Sequence, residues 1–330
     1  MTASRTRSFL SAESFCFLQE VVAASAALAA AHRLGVLARI EAGPADVPSL
    51  AQACQIGERS MLLLLAALAS LGLVEAGDDG TYRAAVAGLS WLAALPDQWE
   101  ELADVIHHDQ PVVAADTPAG AATLYPAIVR QLAAALAPAA ELAADRLAAP
   151  GLRILDVGAG AAPWTLALAA RCADCRITAV DVPETLAVTQ AAVEAAGHAA
   201  QFRYLAGDFF TVDWGRAAYD LAIAGNVCHL FDARMNRQLL GRLWAALRPG
   251  GTVAILDALP NERLDGPRPV VLYGLGLLLR TTGGRVYPFS QYVSWLRSAG
   301  FEAIERVDLT GGLPISLIVG QRPDAGAWPG

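Results

Sequence analysis

The chain is short of cysteine, of positive charge, and of any unbroken apolar run long enough to cross a bilayer. Its five cysteines are odd in number and scattered over 330 residues, which argues against a disulfide framework and for reduced thiols in a cytosol. Cys172 and Cys175 form a C-x-x-C, but no second pair completes a zinc site, so no metal centre is expected. Lys and Arg number 24 against 32 Asp and Glu, a net charge of −8. Phosphate binding relies on clustered cations, so this balance disfavours a nucleic acid as substrate and suits a small neutral or phenolic compound. Hydrophobic residues reach 55%, a figure inflated by alanine. The longest apolar stretches, residues 21–31 and 61–74, fall short of the roughly 18 to 20 residues that span a membrane, and none is expected to do so. Glu13 and Glu20 interrupt any apolar signal region after Arg5 and Arg7, so nothing suggests export and the protein is expected in the cytoplasm.

What is present is organised around residues 153–170, RILDVGAGAAPWTLALAA. Ile154, Leu155 and Val157 read as a strand buried on both faces, Gly158 and Gly160 break the pattern, and Pro163 opens a helical Leu/Ala run. Glycines at such a bend let the backbone reverse and approach a ligand where a Cβ would obstruct it. A second strand from Arg176 ends on Asp181, about 20 residues beyond the glycines, where a carboxylate can accept from ribose hydroxyls. A third, residues 202–206, ends in Gly207-Asp208-Phe209-Phe210, a carboxylate and aromatics suited to an adenine edge and face.

The segments DVGAGAA, AVDVPETL, GDFF, NVCHLFD and LRPGGTVAILDALP follow one another in the order seen in class I methyltransferases. From about Phe15 onward the chain resembles the small-molecule O-methyltransferases that use S-adenosylmethionine and carry an N-terminal dimerisation domain. The resemblance implies an α/β, Rossmann-like domain with a mostly parallel seven-stranded sheet over residues 151–330. Before it stand a winged-helix-like dimerisation domain at 1–100 and a helical connector at 101–150 that contributes to the substrate pocket. Further strands are expected at 220–224, 252–256, 302–307 and 315–319, the last pair including an antiparallel strand. Helices are expected at 232–247, stopped by Pro249-Gly250-Gly251, at 270–280, which would roof the pocket, and at 289–299.

Residues 1 to about 12 read as a leader, and 15–40 as a helix broken near Gly35, so apolar that a second copy is the expected partner. Ser49 and Gln52 look like a capping pair, and residues 73–76 and 81–83 flank a hairpin wing. A DNA-binding regulator shares this outline. Yet the would-be recognition helix reads MLLLLAALASLGL with only Arg59 and Arg83 as cations in the module, which is core rather than a groove reader. Across residues 91–149, which read as helical from Trp91 to Ala149, Pro96, Pro111, Pro118, Pro126 and Pro138 mark bends between short helices, and His107, His108 and Tyr125 are candidate pocket residues. Adjacent histidines point to different helix faces, so at most one can face a ligand.

The family likeness makes His229 the general base that removes a hydroxyl proton during methyl transfer. Leu230, Phe231 and Val286 depart from the family pattern around it, which implies a base lacking one orienting carboxylate. The cofactor residues implied are Asp156, Gly158, Gly160, Asp181, Asp208, Phe209 and Asn226, with Asp257 either facing the pocket or a solvated strand-end acid. S-adenosylmethionine is the expected cofactor and a small aromatic or polyketide-like metabolite the expected acceptor. Carbon or nitrogen methylation, or a donor-retaining cyclisation, decarboxylation or hydroxylation, are the alternatives.

Overall fold

A computed structural model describes residues 11–86, 89, 99–309 and 313–324; most of the expected leader, with Trp91 and Pro96, lies outside them. The chain divides into two compact units, Met1–Glu100 and Glu101–Gly330.

In the first unit, α1 (Ala12–Arg33) is capped by the Ser11 hydroxyl, and the expected break at Gly35 separates it from α2 (Val36–Ala42). A two-residue strand β1 (Ala45–Asp46) leads into α3 (Val47–Cys54). The Asp46 carboxylate, not Ser49, caps that helix, accepting the Ser49 N–H at 2.8 Å; the capping pair was placed three residues late because aspartate serves the same role. After α4 (Glu58–Ser70) come β2 (Val74–Ala76) and β3 (Thr81–Ala84), which pair antiparallel as the expected wing, with β1 on the far side of β3. Met61, Leu65 and Leu68, spaced along one face of α4, are buried with Leu37, Ile40 and Leu50. The MLLLL run is core on that face alone, because Leu62 and Leu63 are exposed.

Among the described residues two helical stretches, Ser14–Arg33 and Pro118–Leu147, are long and apolar enough by length and composition to cross a membrane, so the length argument against a span does not hold. Counting only uninterrupted apolar residues missed them, since a helix carries Ser, His and Glu within an apolar average.

The second unit begins with α5 (Leu102–His108) and α6 (Pro118–Leu147). The expected chain of short helices is instead one 30-residue helix that runs through Pro126 and Pro138. Alanine propensity and packing outweigh the lost backbone bonds: Leu136, Ala139, Ala140, Ala143 and Ala144 are buried in one cluster with α7 (Pro163–Arg171). The sheet follows in alternation: β4 (Arg153–Val157), β5 (Arg176–Asp181), α8 (Pro183–Ala195), β6 (Phe202–Ala206) and β7 (Tyr219–Gly225). Then come α9 (Ala233–Ala246), β8 (Leu247–Asp257), α10 (Arg268–Leu277), α11 (Phe289–Ser298), β9 (Glu302–Leu309) and β10 (Ile315–Gln321). Strand order is β6-β5-β4-β7-β8-β10-β9, parallel up to β8, with β10 antiparallel to both neighbours. Alternate residues of β7 feed opposite faces, Ala222 and Ala224 into one core cluster, Leu221 and Ile223 into the other.

Two local expectations change. Helix α9 ends on Leu247 in extended conformation and the strand starts at once, so Pro249-Gly250-Gly251 belongs to β8 and forms no helix cap. Cys172 and Cys175 are joined as a disulfide, not reduced: the turn after α7 brings their Cα atoms within 5.4 Å. Asp174 adds a third ligand-type atom within 4.8 Å of both sulfurs.

Candidate functional site

A cavity of about 350 Å³ opens at the carboxyl ends of β4, β5 and β7, lined by residues lying between Ala115 and Thr282 and so wholly within the second unit. This is where open α/β sheets bind ligands. Gly158 (φ +69°) and Gly160 (φ +58°) form its floor. A Cβ on Gly158 would stand 2.6 Å from Val227 Cγ2, so both backbone conformation and space require glycine there. The Gly160 N–H donates to Asp181 Oδ2 at 3.0 Å and the Val182 N–H to Oδ1 at 2.8 Å, which locks the strand-end carboxylate against the glycine turn. Burial pushes the Asp181 carboxyl up to about 6, against those two hydrogen bonds.

Of the other sequence-derived residues, Asp208, Phe209, Asn226 and Tyr125 also line the cavity. Asp208 accepts the Phe210 N–H at 2.8 Å, and the Phe209 ring meets Phe231 edge-on at 5.7 Å. Asn226 takes a positive φ of 59°, and its Oδ1 is buried with no hydrogen-bond partner. Burial and the neighbouring Tyr273 push the Tyr125 phenol up. Asp156 turns away from the cavity and accepts the Thr165 hydroxyl at 2.5 Å, tying β4 to the first turn of α7, with burial raising its carboxyl to about 7. His107 and His108 end α5 as exposed side chains, and neither lines the cavity.

Asp257 is neither pocket-facing nor solvated, for it is fully buried, and it supplies what the sequence was read as lacking. The His229 Nδ1–H donates to Asp257 Oδ1 at 2.6 Å, and the His229 backbone N–H to Oδ2 at 3.1 Å. The Ala258 N–H (2.8 Å) and the Tyr292 hydroxyl (2.9 Å) fill the remaining lone pairs. A carboxylate can only accept, so it fixes the proton of a neutral imidazole on Nδ1 and leaves the Nε2 lone pair free to take another. The base thus has an orienting acid at the end of β8 rather than beside Val286, whose side chain packs on Gly274. Nε2 faces the Tyr273 hydroxyl at 2.7 Å.

Sequence reasoning missed Tyr273, a polar tip in an apolar helix, and Tyr292, one on the buried face of an amphipathic helix. Trp164 also lines the cavity, its indole Nε1 2.2 Å from where a Cβ on Gly225 would stand.

A glycine-floored cavity, a carboxylate at the end of the second strand, and a buried imidazole on a buried acid define a class I methyltransferase site. The O-methyltransferase domain model matches residues 138–302. The chain is 30% identical over 311 residues to the 3-hydroxy-5-methyl-1-naphthoate 3-O-methyltransferase of Streptomyces sahachiroi, covering 85% of this chain and 86% of that protein. It is 32% identical to the tetracenomycin polyketide synthesis 8-O-methyl transferase of Streptomyces glaucescens, over 45% of this chain and 42% of that one. The fold matches human N-acetylserotonin methyltransferase in complex with SAM at a TM-score of 0.70 and 22% identity, over 98% of this chain and 100% of that chain. The chain belongs to the class I S-adenosylmethionine-dependent O-methyltransferase family. It is a methyltransferase whose cofactor is S-adenosylmethionine.

The residues present fit that cofactor. The glycine floor leaves room for backbone approach, Asp181 offers acceptors for ribose hydroxyls, and the orphaned Asn226 Oδ1 offers one for an ammonium.

Proposed function

We propose that the protein methylates a hydroxyl of a small aromatic or polyketide-like metabolite, with His229 as general base. The observation that carries the reading is the buried His229–Asp257 hydrogen bond of 2.6 Å. That pairing holds an imidazole in its accepting tautomer and favours the imidazolium formed when it takes a proton. A phenol is mostly protonated at neutral pH, so an enzyme that methylates one gains from such a base. The naphthoate and tetracenomycin relatives support an aromatic or polyketide acceptor, as does the wall of Phe209, Phe210 and Phe231.

Asp181, Asp208 and the Gly158–Gly160 turn would hold the donor, which when bound supplies a methyl on a sulfonium. Tyr125, on α6, stands on the acceptor wall. A homodimer formed through the first unit completes the proposal, supported by the exposed Phe15, Leu18, Val21 and Val22 on α1, the last 68% exposed. Light scattering of the full chain tests the pairing. A monomer at micromolar concentration would refute it, and recovery only with detergent or vesicles would assign α1 to a membrane instead.

The reaction is tested by incubating the protein with S-adenosylmethionine and a set of monohydroxynaphthoates. The expected product is heavier by one methyl, with S-adenosylhomocysteine released in equal amount. Substrate turnover without donor consumption would sink the proposal. We expect His229→Ala to lower turnover by about 10² with donor affinity retained.

A further inference from the structure

Trp164 stands in the first turn of α7, directly after Pro163 and the glycine turn. It is only 4% exposed, yet it lines the cavity. A buried indole usually gives its N–H to an acceptor. The Trp164 N–H has no such partner among the described residues, and unlike the orphaned Trp295 Nε1 it is not sealed inside the protein, so it opens on the cavity. Gly225 shows which edge of the ring is presented. A Cβ there would stand 2.2 Å from Nε1 and 2.4 Å from Cδ1, but 3.1 Å from Cε2. The N–H edge therefore lies over the end of β7, where only a glycine leaves room for it.

The next residue is Asn226, which also lines the cavity and whose Oδ1 lacks a hydrogen-bond donor. An unused N–H and an unused carbonyl oxygen thus come from neighbouring points of one strand end, a pairing that suits a group carrying both charges. Three carboxylates line the cavity, Asp116, Asp181 and Asp208, and among the described lining residues there is no Lys, Arg or His. An anionic group that enters must be received by neutral N–H groups. The start of α7 supplies more of them: no side chain caps this helix, and the backbone N–H groups of its first turn have no helical carbonyl to meet.

S-adenosylmethionine carries an ammonium and a carboxylate on one carbon of its methionyl arm. We infer that Trp164 is a cofactor-binding residue: its indole N–H, backed by the positive end of α7, receives that carboxylate, while Asn226 Oδ1 accepts from the ammonium. The inference rests on the placement of the cofactor at the Gly158–Gly160 turn and Asp181. A neutral N–H has an advantage here over an arginine or lysine, since it holds the carboxylate without setting a second cation in the chamber that must also take the sulfonium.

The test uses the full chain and three thioethers that require no turnover. S-adenosylhomocysteine has the whole arm, S-adenosyl-3-thiopropylamine lacks only the carboxylate, and 5′-methylthioadenosine lacks both charged groups. By calorimetry Trp164→Phe should bind S-adenosylhomocysteine about ten- to hundredfold more weakly than wild type, the loss expected for one hydrogen bond to a charged group. It should bind the other two within about threefold of wild type, which also shows that the variant is folded. An equal loss for all three compounds means that the indole only shapes the site, and an unchanged affinity for S-adenosylhomocysteine means that it does not meet the carboxylate. Either result overturns the inference and leaves the cofactor placement standing. If instead Asp181→Ala binds both S-adenosylhomocysteine and 5′-methylthioadenosine as tightly as wild type, the placement fails and the inference with it. The indole ¹H–¹⁵N spectrum of the wild-type protein needs no variant at all. One of the signals from its seven tryptophans must move downfield with S-adenosylhomocysteine and hold still with S-adenosyl-3-thiopropylamine, and a spectrum with no such signal overturns the assignment.

Discussion

Replacing Asp257 with asparagine separates the charge of this carboxylate from its shape. In the native protein Oδ1 accepts from His229 Nδ1 and the Ala258 N–H, while Oδ2 accepts from the His229 N–H and the Tyr292 hydroxyl. An asparagine must present its NH₂ to one of these pairs. Facing Nδ1, it would move the imidazole proton to Nε2 and orphan the Ala258 N–H. Facing the other pair, it orphans only the His229 N–H, because the Tyr292 hydroxyl can rotate and accept. Each orientation leaves one backbone donor unpaired, but only the second preserves the tautomer. The stability cost is then one buried donor without a partner, about 1–3 kcal/mol. For a unit of this size that is roughly 2–12 °C in Tm.

The catalytic cost is the difference between a charged and a neutral hydrogen bond to the imidazolium, about 1–2 kcal/mol, or roughly five- to thirtyfold in kcat. Thermal unfolding and methyl transfer to monohydroxynaphthoates measure the two costs separately, with S-adenosylhomocysteine affinity as the control. A folded Asp257→Asn protein with unchanged kcat would refute the idea that this acid stabilises a charged His229. A loss beyond about 10³ would show that the tautomer had flipped.

Asp181→Ala removes the acceptor held by the Gly160 and Val182 N–H groups and is expected to weaken S-adenosylhomocysteine binding by more than about tenfold, or about 1.4 kcal/mol, by calorimetry. The Asp181 carboxyl titrates at about 6 in the folded chain against 3.8 unperturbed, so the native state holds its proton more tightly. Stability of the unliganded protein should therefore fall as pH rises from 4 to 6, and denaturant midpoints that rise over that range would contradict this. Donor affinity should run the other way, dropping about tenfold per unit below pH 6, since ribose hydroxyls need the ionised acid. Gly284→Ala would place a Cβ 2.5 Å from the His229 carbonyl and 2.7 Å from that of Leu230. The expected cost is about 1–3 kcal/mol, with kcat reduced because the turn carrying the imidazole is displaced; an unchanged Tm would speak against this contact.

Much of the second unit was legible because its signals are local. Ile154 to Val157 followed by two glycines, and Asp181 at the end of the next strand, announce themselves through hydrophobic run, turn and spacing, and both stand where the pattern put them. The His229–Asp257 pair was half legible. Each residue was singled out, but they lie 28 positions apart, and only the register of β7 against β8 brings them together. Tyr273 and Tyr292 fall on the apolar period of their helices and so read as core, since their meaning lies in which buried group each hydroxyl happens to reach. The prolines of α6 misled for a related reason: a local rule ends helices at Pro126 and Pro138, while the long-range packing of Ala139, Ala140, Ala143 and Ala144 keeps this one going.

That uninterrupted helix ties together two tasks that loops would have kept apart. At about 45 Å it is a single strut. Tyr125, Val129, Leu132 and Leu136 along it form one wall of the chamber, while Val129 also sits where a side chain on Gly160 would make contact, 3.5 Å away. A change in the donor turn therefore pushes on the same rod that sets the chamber's width. Reshaping the enzyme for a bulkier acceptor by trimming Leu132, which is partly exposed and outside the buried clusters, is mechanically safer than altering Val129, which would disturb both halves of the reaction at once.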